Sequence, residues 1–107
     1  MKLKAGKRLQ AIRELTGLTR EEFAREYQID LVRLKNLEQG KIRVAEDEYE
    51  KVGFSFPELS QWMMYEGPID LEGLKESQNA LCRLIGSKIE AGQLPKNYSG
   101  EISEAVK

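Results

Sequence analysis

An all-α fold is predicted for this chain, and three observations predict it. Apolar residues recur three and four positions apart along most of its length, with no sustained alternation of the kind that marks strands. Charged residues make up 33% of the sequence and aromatic residues only 7%, a balance that suits a small, mostly helical protein better than a sheet. Cap residues punctuate the apolar runs, with Thr or Asp before them and Gly after. At 107 residues the chain has room for one compact domain with a modest core and an appended element.

Residues 2–16 give the first expected helix, in which Ala5, Leu9 and Ile12 stack at i, i+4 and i+7 with Leu15 beside them and Gly17 as the stop. Its outer face is expected to carry Lys2, Lys4, Lys7 and Arg8. Thr19, with Glu22 three residues later, spells a capping box that opens a second helix, whose buried face is Phe23, Ala24 and Tyr27. Asp30 is a second N-cap, Leu34 and Leu37 supply the inner face of a third helix, and Gly40 stands where a left-handed C-terminal residue is wanted. Two helices so short, joined by a tight turn over residues 18–40, form a helix-turn-helix that needs flanking helices to cover its apolar faces.

After a link at 41–44, residues 45–54 read as a fourth helix, with Tyr49 and Val52 inward and Glu46, Asp47 and Glu48 in the first turn, where the helix dipole favours acids. Pro57 opens a fifth, capped by Ser55 or the residue after it and running through Leu59, Trp62 and Met63 to Gly67. Trp62 and Met63 are read as core. Gly67 and Pro68 mark a boundary, beyond which Asp70 caps a sixth helix over 71–91. Leu71, Leu74, Gln78, Leu81, Ile85 and Lys88 keep a 3–4 spacing along it, widened by Leu84 and Ile89. That stripe either folds back onto the core or forms a dimer interface through Leu74, Leu81 and Ile85, with Gln78 helping to fix register. Gly92, Pro95, Asn97 and Gly100 end the helix and leave a loose tail. The expected organisation is therefore residues 1–67, a helix within 68–93, and a flexible segment at 94–107.

Several classes of chemistry lack their residues. Histidine is absent and Cys82 is the single cysteine, so a zinc site, a disulfide framework or a Ser-His or Cys-His catalytic pair cannot be assembled; Cys82 is expected to be a small, semi-buried apolar residue. There is no phosphate-cradling glycine loop and no carboxylate cluster at metal-binding spacing, so neither an enzyme, a metal, a cofactor nor a small-molecule effector is indicated. No apolar run approaches membrane-spanning length and no signal-peptide core is present, which makes a cytoplasmic location the expectation, with no membrane partner. The formal charge of −1 hides an asymmetry. Residues 1–43 hold eleven Lys and Arg against six Asp and Glu, while residues 44–107 hold six against twelve. A basic half carrying the helix-turn-helix suits a polyanionic partner, and the acidic half is expected to face away from it.

Phe23, Ala24, Ile29, Leu34 and Leu37, followed by Glu38-Gln39-Gly40-Lys41, resemble the DNA-binding domain of the phage-repressor and Cro-like (XRE-type) helix-turn-helix family over roughly residues 6–67. The resemblance implies a five-helix repressor-like DNA-binding domain with an additional C-terminal helix. The family usually has glycine at the turn, whereas Gln28 stands there, and a left-handed glutamine costs about 1 kcal/mol. The resemblance also places Arg13 opposite Glu38 as a partly buried structural ion pair, and base contacts on the outward residues of the third helix, Leu31, Val32, Arg33 and Asn36. Of these, Arg33 suits guanine O6 and N7 and Asn36 suits adenine. Leu31 and Val32 cannot read hydrogen-bond patterns; they would pack on thymine methyl groups or mark a protein-binding surface. Arg20, Lys41 and Arg43 are the candidates for phosphate contact, which positions without reading sequence. The expected function is a sequence-specific transcriptional regulator, a repressor that binds a palindromic operator on double-stranded DNA as a homodimer. The alternative is a protein-interaction module on a helix-turn-helix scaffold.

Overall fold

Helices connected by short links account for nearly all regular structure in the computed structural model, which describes residues 3–106. In chain order they are α1 (Ala5–Thr16), α2 (Arg20–Glu26), α3 (Leu31–Glu38), α4 (Glu46–Ser55), α5 (Ser60–Tyr65), α6 (Leu71–Glu76), α7 (Ala80–Glu90) and α8 (Ser99–Ala105), with one 3₁₀ turn at Pro57–Leu59 before α5. The all-α expectation holds among the described residues, whose one β feature is an isolated parallel bridge between Ile69 and Val106. Lys2, expected at the start of the first helix, lies outside them.

A continuous apolar core runs from Leu9, Ile12 and Leu15 of α1 through Phe23, Leu34, Leu37, Val52, Phe56 and Trp62 to Leu74, Ile85 and Ile102. α1 is central, touching α3, α5 and α7. Its approach to α3 depends on Gly6, because a Cβ built there would lie 1.9 Å from the Leu37 carbonyl oxygen. The aromatic rings of Phe23 and Tyr27 (centroids 4.5 Å apart) and of Tyr27 and Phe56 (5.7 Å) join α2 to the end of α4. Burial pushes the Tyr27 hydroxyl up to about 12, so it stays neutral in this cluster.

The structure corrects four expectations. Arg8 is not on the outer face of α1. It is buried; Nε donates to Met63 O (2.8 Å), Nη2 to Met64 O (3.0 Å) and Nη1 to Leu3 O, with Glu66 nearby at 3.4 Å. The guanidinium thus satisfies carbonyls in the last turn of α5 that have no partner within that helix. The fifth helix is also shorter than expected: Pro57 opens a 3₁₀ turn without a side-chain cap, and α5 stops at Glu66, which is left-handed with φ 59°.

The third correction concerns residues 71–91, which form a hairpin of two helices instead of one. Ser77 is extended, its hydroxyl accepts from the Asn79 amide (3.0 Å), and the Asn79 side chain accepts from the Leu81 amide (2.9 Å) to cap α7. Such side-chain bonds offer the backbone an alternative to continuing the helix. Gly86 then lets α7 lie closely on α6, since a Cβ there would stand 3.1 Å from Leu74 Cβ. Leu74 and Ile85, named as dimer-interface candidates, are fully buried inside this chain, and Leu81 is half-buried. No helical stripe running the length of 71–91 exists to present them to a second copy.

The fourth is the tail. Residues 98–106 dock on the core through Tyr98, Ile102 and Ala105, with the Tyr98 hydroxyl donating to Gln10 Oε1 (3.1 Å) and the Ile69 amide to Ala105 O (2.8 Å). Cys82 is fully buried, and burial raises its thiol pKa.

Candidate nucleic-acid interface

Local chemistry sets the α2–α3 unit. Thr19 Oγ1 accepts from the Glu22 amide (3.1 Å) while Glu22 accepts from the Thr19 amide (2.9 Å), the reciprocal pair of a capping box. The turn follows at Gln28, which is left-handed with φ 55°; Lys51 Nζ donates to its carbonyl (2.6 Å) and the Ile29 amide to Ala24 O (2.9 Å). These bonds hold a conformation that a glycine would adopt without cost. Asp30 accepts from the Arg33 amide (3.0 Å) and starts α3. Gly40, φ 76°, ends it, with the Gly40 amide donating to Leu37 O and the Lys41 amide to Asn36 O, the two bonds of a Schellman motif.

Glu38 fixes where α3 sits. Its carboxylate, wholly buried, accepts from Arg13 Nε (2.6 Å) and Nη2 (2.9 Å) and from Arg20 Nε (3.1 Å). One acid at the end of α3 therefore ties together α1 and the start of α2. The Arg13–Glu38 pair is the one the resemblance implied. The participation of Arg20 was not foreseen, and its Nε is engaged inward while a third of the side chain remains exposed.

With Leu34, Leu37 and Glu38 facing the core, roughly the opposite side of α3 carries Val32, Lys35 and Gln39, all exposed, and Asn36, half-buried. Val32 is 65% and Leu31 41% exposed. The Asn36 side chain forms no hydrogen bond among the described residues. Lys41 and Arg43 are exposed on the link beyond α3, and with Lys4 from the start of α1 they line one surface groove, so three cations border this end of the unit.

Arg33 is placed differently from the other three base-reading candidates. It lies on the flank of α3 toward α4, where Nε and Nη2 donate to Glu48 Oε2 and Oε1, both at 2.9 Å. The Glu48 side chain is 4% exposed and also accepts from the Ala45 amide (2.8 Å). The Arg33 bond, followed by the Ala45 bond, holds the Glu48 carboxyl below the ordinary carboxylate range against the opposing effect of burial. A carboxylate with a depressed pKa adds stability above its unfolded pKa, near 4.3, and loses it as pH falls through the folded value. Urea denaturation from pH 7 to pH 3 should therefore show Glu48→Gln to be the less stable protein at neutral pH, with the difference from the parent shrinking below about pH 4. A difference independent of pH would mean that the pair is not formed.

The sequence reading missed Gly6, Arg8, Lys51 and the pairing role of Glu48. Arg8 had a signal, since with Ala11, Ile12 and Leu15 it shares the i, i+3, i+4, i+7 spacing of the buried stripe. Among the described residues there is no grouping of three Cys, Asp or Glu placed to hold a metal ion, and no helix is long and apolar enough to cross a membrane. Compared with models of known protein families, with curated proteins and with solved structures, the chain matches none.

Proposed function

We propose that this protein is a sequence-specific DNA-binding transcriptional regulator, a repressor that acts as a homodimer on a palindromic operator. In this reading α1–α5 form a five-helix repressor-like domain and α6–α8 complete its core. The observation that carries it is α3 itself: a helix capped at both ends, locked to α1 and α2 through Glu38, with exposed residues on its outward side and with Lys4, Lys41 and Arg43 lining a groove past its C-terminal end. A helix so presented fits the major groove, with Leu31, Val32 and Asn36 at base edges and Lys41, Arg43 and the free Nη groups of Arg20 on phosphates. Base contact by Arg33 would use Nη1 and the second Nη2 proton, which its bonds to Glu48 leave available. No catalysis, cofactor or effector enters this reading.

With Leu74 and Ile85 inside the chain, self-association uses other surfaces; Phe54, Met64 and Tyr65 on α4 and α5 are exposed apolar side chains available for it. The same exposed residues, with Leu31 and Val32, favour the second reading, a protein-interaction module.

Salt dependence tests the choice. On duplex DNA the logarithm of the affinity should fall linearly with the logarithm of salt concentration, and Lys41→Ala should weaken all duplexes evenly and reduce the slope by about 1. A folded protein whose DNA retention is absent, or is indifferent to both salt and Lys41, would exclude the DNA reading.

A further inference from the structure

Glu48 is buried on α4, yet its carboxylate meets the first turn of α3. Oε1 accepts from the Ala45 amide (2.8 Å) and from Arg33 Nη2 (2.9 Å), and Oε2 accepts from Arg33 Nε (2.9 Å). The backbone bond fixes the carboxylate, and the carboxylate in turn fixes the guanidinium, a planar and rigid fork. A guanidinium has two edges that carry paired donors, Nε with Nη2 and Nη1 with Nη2. Glu48 occupies the first, so the second, at the tip of the side chain, is the pair left for a ligand, and the exposed partner is Arg33 (39% against 4% for Glu48). Two parallel N–H donors complement guanine O6 and N7. The surroundings favour a base over a phosphate. Arg33 and Lys51 are matched by Glu48 and Asp47, which leaves this corner of the surface without net charge to draw a polyanion. What remains is a pair of donors of fixed direction, which is what a base edge reads.

We propose that Glu48 is a specificity-determining residue that itself touches no DNA: it holds Arg33 so that the Nη1–Nη2 edge is presented to guanine O6 and N7. The proposal rests on the DNA-binding reading above and adds the residue that positions its guanine reader. An unsupported arginine gives up its rotamers on binding, whereas one held by Glu48 has given them up on folding, so more of the contact energy appears as affinity. That gain falls on guanine, the base that sets two acceptors side by side in the major groove.

The experiment starts from duplexes enriched by the full-length chain from a randomised pool. Each guanine of the enriched motif is replaced in turn by 7-deazaguanine, which deletes the N7 acceptor. The parent should lose affinity about tenfold at one guanine of each half-site. Arg33→Lys, which keeps the cation but not the fork, should abolish that loss. Glu48→Gln, which offers one oxygen in place of two and can still cap the Ala45 amide, should shrink it to about threefold. A purely structural Glu48 would weaken both duplexes alike and leave their ratio at the parental value. If circular dichroism shows Glu48→Gln to be unfolded, Glu48→Asp takes its place with the same expectation, since it keeps the charge but falls one methylene short of Arg33. A parental ratio in the Glu48 variant or in Arg33→Lys, or a motif in which no guanine is sensitive, would overturn the proposal while leaving DNA binding standing. If a folded parent retains no duplex at all, both the proposal and the reading beneath it fail.

Discussion

Glu38→Ala should lower the unfolding free energy by about 3–5 kcal/mol, a large part of the roughly 5–15 kcal/mol that holds a small domain together. The carboxylate is wholly buried and serves two guanidiniums, of which Arg13 is itself only 12% exposed. Deleting it leaves Arg13 charged, desolvated and unpaired, which is the costly way to break a buried ion pair. Arg20→Ala should cost less, because that side chain is a third exposed and water can replace its bond. Replacing both Arg13 and Glu38 by Met should cost less than the two single changes added together, since neither charge is then stranded. Urea titrations followed by circular dichroism measure all of these. A Glu38→Ala loss under about 1 kcal/mol would mean that apolar packing alone positions α3.

Gly6→Ala should cost about 3 kcal/mol, near the upper end of the range for overpacking a core, although the residue swap favours the helix locally. The added methyl would lie 1.9 Å from the Leu37 carbonyl oxygen, a backbone atom that cannot turn aside, so α1 and α3 must separate. Because Glu38 follows Leu37 directly, the same separation strains the bonds to Arg13. DNA binding should weaken along with stability. Gly100→Ala is the control: among the described residues, nothing beyond its chain neighbours and its own helix backbone lies within 4 Å of the position its Cβ would take, and it should stabilise the protein by about 0.5 kcal/mol by restricting the unfolded chain. Equal effects at the two glycines would refute the close crossing.

What could be read in the sequence was what neighbouring residues settle among themselves. Thr19 with Glu22, Asp30, and Gly40 are caps whose partners lie within three or four residues, and they fall where the sequence put them. Burial at Phe23, Leu34 and Leu37 follows from their spacing in the same way. Contacts across the fold were less visible. The break at residues 77–79 hid inside a regular stripe because a three-residue link preserves the seven-residue separation of Leu74 and Leu81. α8 has Tyr98, Ile102 and Ala105 at i, i+4 and i+7, but its glycine and the nearby proline argue for a loop, and the segment is helical because the core receives that face. Gly6 carries no local signal, since its role is defined by a carbonyl thirty-one residues away. At the candidate site, the resemblance led to Arg13 with Glu38, whereas the engagement of Arg33 by Glu48 depends on how α4 packs beside α3 and could not be read from either helix alone.

Selection from a randomised duplex library at near-physiological salt, with the parent and Val32→Ala/Asn36→Ala compared side by side, puts the proposed role of α3 to the most direct test. Both side chains lie outside the apolar core, so the variant should unfold at the same urea concentration as the parent. The expected result is a palindromic motif enriched by the parent and relaxed or lost in the variant, while affinity for unselected DNA changes little. A folded parent that enriches no motif, or a variant that enriches the same motif as the parent, would contradict recognition of DNA through α3.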